Sequence, residues 1–312
     1  MLGYSVQRLL QGAVVIFLIS IATFMMLRLI PGDPIILMIG GGEGAAHFTP
    51  EMIDAIRAKW GLDLPLHQQY LRWVYLILRG DWGESIVRVG VPVRHMLLEA
   101  AQVTVILTSI SIALALLISI PAGVISAVRR NSIYDYLLMF VTTLGIAIPS
   151  FWFALMAIII FALILGWLPP FGIHTWHGFI LPVAVLAFLE MALFTRVTRG
   201  AVIEVLDEDY IRTAYAKGLT ERVVVLYHAL RNALLVVVTV VGFRIAFILS
   251  GTIIVETIFA VPGIGRLFME SILRLDYQVV QTIVLIMAVI VVVVNLLTDL
   301  IYAYIDPRIR VR

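Results

Sequence analysis

The chain has 312 residues, 62% of them hydrophobic and 13% charged, with a formal net charge of +2. Soluble domains average about 45–50% apolar residues, so this composition excludes an ordinary soluble domain and indicates an all-α integral membrane protein. The absence of cysteine excludes structural disulfides, thiolate metal ligands and a thiol nucleophile together.

Crossing about 30 Å of hydrocarbon takes about 20 apolar residues in a helix, and the chain is expected to do so with six transmembrane helices. The first, at about 9–30, follows Arg8. It is too long for a signal-peptide core and no small-x-small cleavage site follows it, so it reads as a retained span. A mixed-charge segment comes next, at about 31–100. Within it Thr49-Pro50-Glu51 has the form of an N-cap, an N1 proline and an acidic first turn. Leu66, Tyr70, Trp73, Val74 and Ile77 then recur at helical spacing, with Arg72 and Arg79 off that face. This helix is too short to span and is expected to pack on the outer surface or lie in the interface.

The remaining spans are expected at about 101–127, 137–165, 179–195, 233–258 and 279–305. The third carries Gly145 and Pro149, and the fourth starts with Pro182. Each proline removes a backbone donor, and such a break in lipid stands only where protein or a water-filled cavity covers it. A packing kink and a pathway-lining break are both consistent with that pattern, and Pro149 and Ser150 are candidates for the latter. The organisation has three parts: 1–30, the first span; 31–100, an outer loop with short helices; and 101–312, a five-span core with a charged insert at 196–232.

Short-loop Lys and Arg residues set orientation. With the N-terminus inside, the inner side holds Arg8, Arg129, Arg130, Arg196, Arg199, Arg212, Lys217, Arg222, Arg231, Arg308, Arg310 and Arg312, against Arg266 and Arg274 in the short outer loops. Both termini and the insert are therefore expected in the cytoplasm.

The insert, DYIRTAYAKGLTERVVVLYHALR at 209–231, is read as helix, glycine turn, helix. Asp207, Glu208 and Asp209 suit a helix start, by capping and by negative charge at the positive dipole end. Lys217 and Gly218 suit its end. Thr220 is placed to cap a second helix, in which Val223, Tyr227, Leu230 and Leu234 share a face. Thr213, Ala214 and Ala216 are small enough for close approach to another surface, and Arg212 and Lys217 are exposed donors. An ordinary loop that only fixes topology is the competing reading.

Charges inside the bilayer are costly unless paired or wetted. Glu190, Arg244, Glu256 and Asp299 fall within or near spans. Glu190 and Arg244 are placed to interact between neighbouring spans; separate snorkelling and subunit contacts are the alternative. His174 and His177 have no carboxylate nearby, which argues against a metal site. Gly-Lys never occurs in the sequence, so the chain has no nucleotide-binding P-loop. No nucleic-acid footprint is present.

Arg212-Thr213-Ala214, three residues, Gly218, nine residues, then His228-Ala229-Leu230-Arg231 resembles the EAA loop, E-A-A-x3-G-x9-I-x-L-P, of the membrane subunits of binding-protein-dependent ABC importers. The second alanine, the glycine and the leucine are kept; Arg212, His228 and Arg231 depart. LRLIPGDP (27–34), WGLDLPLHQQY (60–70), RGDWGES (79–85), IPSFWFAL (148–155), GWLPPFG (166–172), VETIFAVPGIGR (255–266) and LIYAYIDPRIR (300–310) extend the resemblance to the dipeptide/oligopeptide/nickel branch over nearly the whole chain.

The resemblance implies a type I ABC importer permease fold in the cytoplasmic membrane of a bacterium or archaeon. It implies a second, different permease subunit, two cytoplasmic ATP-binding subunits that hydrolyse ATP in place of this chain, and an extracytoplasmic solute-binding protein. Tyr210, Arg212, Thr213, Ala214, Lys217, Gly218, His228, Leu230 and Arg231 would form the ATPase-coupling element; Pro149, Ser150, Glu190, Arg244 and Glu256 are pathway or gating candidates. The implied cargo is a dipeptide, an oligopeptide or a related small solute. An ion- or proton-coupled secondary transporter, with the intramembrane charges as relay, is the alternative. It leaves the insert unexplained.

Overall fold

The computed structural model describes residues 2–28, 49–61 and 63–305. Most of LRLIPGDP and the end of LIYAYIDPRIR lie outside the described residues, as does the Asp299 side chain. The described residues include the helices α1 (Leu2–Arg28), α2 (Pro50–Trp60), α3 (Leu66–Leu78), α4 (Val93–Val128), α5 (Ile133–Ala147), α6 (Ser150–Ala157), α7 (His177–Leu206), α8 (Asp209–Ala216), α9 (Leu230–Ile258), α10 (Ile264–Leu273) and α11 (Tyr277–Ile305). A π-helical turn, Ile158–Ile164, continues α6, and another, Val224–Ala229, leads into α9. Among the described residues β pairing amounts to a single bridge between Glu84 and Pro92.

Helices α1, α4, α7 and α11, and the run Glu221–Arg244 entering α9, are long and apolar enough to cross a membrane. The expected third span is not one rod. Residues Ile133–Ala147 and Ser150–Ile164 meet at 104°, far sharper than a packing kink. The cause is local. Pro149 disfavours helical backbone in the residue before it, and Ile148 is extended with φ −76 and ψ 127. Gly145, by contrast, is a packing position: a Cβ there would lie 2.7 Å from the Ala192 Cβ. Pro182 lies inside α7, as Pro121 lies inside α4, and neither ends its helix. The helices also outrun the apolar stretches, because their end turns carry polar and charged residues that hydropathy alone discards.

The described residues fall into two compact units. The first takes in Met1–Gln102 and Arg266–Leu296. Here α3 packs by the expected face from Tyr70 onward: Trp73 is buried with Phe24 and Leu285, flanked by Ile16, Tyr70, Val74 and Ile77, whereas Leu66, in the first turn, is exposed. The Tyr70 hydroxyl pairs with the Ser20 hydroxyl at 2.7 Å. The expected cap of α2 also forms, with the Thr49 hydroxyl accepting from the Met52 N–H. The loop after α3 is held by buried Asp276, which accepts from the Ser85 hydroxyl and the Ile86 N–H. Gln278 donates to the Trp82 carbonyl at 3.0 Å.

The second unit takes in Val103–Gly265 and Leu297–Arg312. Its centre is α7, which buries Leu181, Val185, Leu186, Ala192, Phe194 and Val202. Small residues set the close approaches: a Cβ at Gly123 of α4 would lie 2.6 Å from the Thr198 Cβ and 2.9 Å from the Thr195 carbonyl oxygen. At the far end of α9, fully buried Glu256 ties up the following loop. It accepts from the Thr104 hydroxyl at 2.6 Å and the Gly265 N–H at 2.7 Å, while the Thr104 hydroxyl accepts from the Ile264 N–H at 2.9 Å. A Cβ at Gly265 would lie 2.8 Å from the Ile253 backbone nitrogen, a neighbour that cannot rotate away.

Both parts of this knot are testable by thermal unfolding in detergent. Gly265→Ala is expected to lower the midpoint through a cost of about 1–3 kcal/mol for overpacking. Thr104→Val is expected to cost about 1–3 kcal/mol by removing a donor to a buried carboxylate. Unchanged midpoints for both would contradict the assignment.

Candidate functional site

The insert folds as capped helix, glycine turn and re-entry. Helix α8 starts after Glu208, in extended backbone, with Asp209 in its first turn; the Glu208 side chain makes no cap bond, so the acidic cluster acts there by charge rather than by capping. At its end Lys217 is the C-cap and Gly218 follows at φ +80. The Gly218 N–H reaches the Tyr215 carbonyl at 2.9 Å and the Leu219 N–H reaches the Ala214 carbonyl at 3.4 Å. That is the Schellman pattern, and glycine adopts its left-handed residue without Cβ strain.

Ile211 and Ala214 point inward and pack with Val224 and Ala229, bordered by Val205 and Leu206 at the end of α7. Arg212, Thr213, Tyr215, Ala216, Lys217 and Gly218 remain exposed. Tyr210 closes the hairpin by accepting from the Asn232 amide at 2.7 Å. Ala214, at the position of the motif's second alanine, is thus a contact between α8 and the re-entry, whereas Arg212, at the position of the motif's glutamate, lies on the outer face. There, among the described residues, its guanidinium pairs with exposed Asp209 at 3.4 Å.

The re-entry departs from the expected face. Thr220 sits at the N-cap position without a side-chain cap bond, and the backbone then runs through the π turn Val224–Ala229. Five-residue spacing rotates the buried stripe, so Val224, Val225, Ala229, Ala233 and Val237 are buried while Tyr227 is 74% exposed. A strict 3.6-residue period had placed Tyr227 with Val223, Leu230 and Leu234; those three are only partly buried. His228 and Leu230 are also partly buried, and Arg231 is exposed.

Among the pathway candidates, the structure brings Glu190 and Arg244 together. The Arg244 Nε donates to Glu190 Oε2 at 3.0 Å and its Nη2 to Oε1 at 2.5 Å, a fork between α7 and α9. Pro149 and Ser150 stand at the α5–α6 elbow, as N-cap and first residue of α6. Glu256 lies further along α9 from Arg244 and is engaged instead by Thr104 and Gly265. His177 stacks on Trp176 with ring centroids 3.8 Å apart.

One buried cluster has no counterpart in the sequence reading. Asp135, 2% exposed, receives Arg199 through Nε–Oδ1 at 2.7 Å and Nη2–Oδ2 at 2.9 Å, the Ser126 hydroxyl at 2.5 Å and the Asn131 N–H at 3.0 Å. A signal was available: Ser132-x-x-Asp135 has the form of a capping box, and the Ser132 hydroxyl does accept from the Asp135 N–H at 3.4 Å. Nothing in the local pattern names Arg199 as the partner.

Residues 119–311 match the family described as binding-protein-dependent transport system inner membrane component, and residues 1–95 match the N-terminal region of such membrane components. The oligopeptide transport system permease protein AppB of Bacillus subtilis is 42% identical, with 99% of this chain and 100% of that protein covered. The glutathione transport system permease protein GsiC of Escherichia coli K12 is 39% identical, with 99% of each covered. A putative peptide transport system permease protein of Brucella abortus is 37% identical, with 97% of this chain and 98% of that protein covered.

The Glu190–Arg244 fork predicts charge-swap behaviour. Glu190→Arg and Arg244→Glu are each expected to reduce the yield of folded protein in membranes, and the double variant is expected to recover much of it. In a double-mutant cycle with neutral variants the coupling is expected near 0.6–1.7 kcal/mol, about the scale of polar interactions between membrane helices. Strict additivity would contradict the pair.

Proposed function

The chain belongs to the binding-protein-dependent transport system inner membrane components, and on that premise we propose that it is a peptide-carrying permease subunit of an ATP-driven importer. In this reading it forms half of the translocation pathway beside a second, different permease subunit. Two ATP-binding subunits sit in the cytoplasm, and a solute-binding protein delivers cargo from outside. Both termini and α8 face the cytoplasm, in line with the Lys and Arg asymmetry. Short peptides are the proposed cargo, because the relatives named above include oligopeptide and glutathione transport permeases.

The observation that carries the coupling reading is the α8 hairpin itself. Its buried residues, Ile211 and Ala214, attach it to the ends of α7 and of the re-entry, while its outer face offers Arg212, Thr213, Tyr215 and Lys217 to a partner. A short helix fastened below and exposed above is suited to being gripped. ATP bound by the partner subunits would favour one of two arrangements of the permease, and the shift extends no further than the differential free energy of binding allows. The elbow at Pro149–Ser150, and Glu190 and Arg244 between α7 and α9, are proposed to line or gate the path. Glu256 is proposed to hold the outer loop at the pathway end rather than to meet cargo. The relatives lend no support to an ion-coupled carrier.

Deletion of Tyr210–Gly218 tests this function. ATP-dependent uptake by the reconstituted complex is expected to disappear while the chain still inserts into the membrane. Uptake that survives the deletion, or that runs on an ion gradient without ATP, would overturn the proposal.

A further inference from the structure

We propose that the Asp135–Arg199 pair is a positioning clamp that delivers movement of the α8 insert to the α5–α6 elbow. The inference rests on the transport reading above and adds to it the residues through which the insert acts.

The carboxylate belongs to α5, yet its donors come from three other places. Ser126 is near the end of α4, Asn131 is in the α4–α5 turn, and Arg199 is on α7. Asn131 adopts the left-handed conformation, φ 64, which turns its N–H onto Asp135. All the ends that meet at this corner are therefore referred to one side chain. One turn earlier on α7, Arg196 reaches the Thr142 hydroxyl at 3.3 Å and the Thr143 hydroxyl at 2.5 Å. Helix α5 is thus pinned to α7 at two levels, and the second lies closer to the elbow. Beyond Ala147 the helix stops, and the 104° turn follows.

The path towards the insert is equally continuous. Val205 and Leu206 pack against Ala127, Ala201, Val202 and Ala233, and also against the α8 cluster of Ile211, Ala214, Val224 and Ala229. An outward shift of α8 therefore loads the end of α7, and the clamp obliges α5 to follow. The exposed Arg130–Asp207 pair, at 3.9 Å, is solvent-screened and contributes little to this.

The clamp's chemistry suits position better than stability. A buried ion pair gains little over a well-packed apolar replacement, because both charges must be desolvated. A two-point guanidinium–carboxylate contact, however, fixes angle as well as distance. A small-residue contact such as Gly123 against Thr198 fixes distance alone.

The test uses the complete reconstituted complex with Asp135→Asn, Arg199→Gln and the double variant, reading ATP hydrolysed per peptide imported. Each single variant is expected to raise that ratio several-fold at unchanged complex content, and the double variant is expected to stay raised, since neither restores the two-point grip. A second readout uses the absence of cysteine: Ile146→Cys, exposed beside the elbow, is expected to change its maleimide reactivity when ATP binds, and to lose that change when Asp135→Asn is added. If Asp135→Asn fails to assemble, Arg199→Lys, which keeps the charge and loses the fork, is expected to show both effects in weaker form. A fall in complex content with an unchanged ATP-to-peptide ratio and an unchanged ATP-dependent label would overturn the clamp and leave the transport reading intact. No ATP-dependent uptake by the unaltered complex would overturn the transport reading and the clamp with it.

Discussion

A charge inside hydrocarbon persists only where other groups meet it; on α7 Glu190 is such a charge, and two arginines further along the same helix, Arg196 and Arg199, are met by α5. Glu190 takes the fork of Arg244 from α9, Arg196 reaches the α5 hydroxyls, and Arg199 takes Asp135. Between them α7 buries apolar residues along most of its length. One helix therefore fixes α5 and α9 by direction as well as by contact. Apolar packing alone would leave their rotations less sharply specified. The end of this same helix runs into the α8 hairpin.

Against that ordered centre, the chain's irregularities are few and local. The elbow at Ile148–Pro149, the π turn after α6 and the π turn before α9 interrupt otherwise regular helices. π turns occur mostly as single-turn bulges and often at functional places. One of the two lies in the re-entry of the insert. There it exposes Tyr227 and turns Val224 and Ala229 under α8, which gives the hairpin its hydrophobic floor. The Schellman turn at Gly218 and the Tyr210–Asn232 bond complete a rigid hairpin with an open outer face.

Much of this was legible in the sequence, and for identifiable reasons. The apolar runs, the Thr49 cap, the α3 face around Trp73 and the Lys217–Gly218 helix end are local patterns, and each formed as expected. The Glu190–Arg244 fork was accessible because buried charges in a membrane demand partners and few were on offer. The elbow was only half legible: Pro149 announced a break, but its angle depends on how α5 and α6 pack on α7. The face of the re-entry was misplaced because a π turn leaves no mark in hydrophobic periodicity. The Asp135 cluster escaped because Arg199 is far off in sequence and looked like one more topology-setting cation.

The claim on which the functional account turns is that the outer face of α8 meets an ATP-binding partner. Because the chain has no cysteine, single cysteines introduced at exposed Thr213 and, as a control in the first unit, at exposed Leu78 are unambiguous cross-linking sites. With the complex in native membranes, Thr213→Cys is predicted to give one major cross-linked product with the ATP-binding subunit, its yield changing when ATP binds. Leu78→Cys is predicted to give none. A Thr213→Cys chain that never cross-links to that subunit, or whose thiol is labelled from outside the cell, would contradict the account.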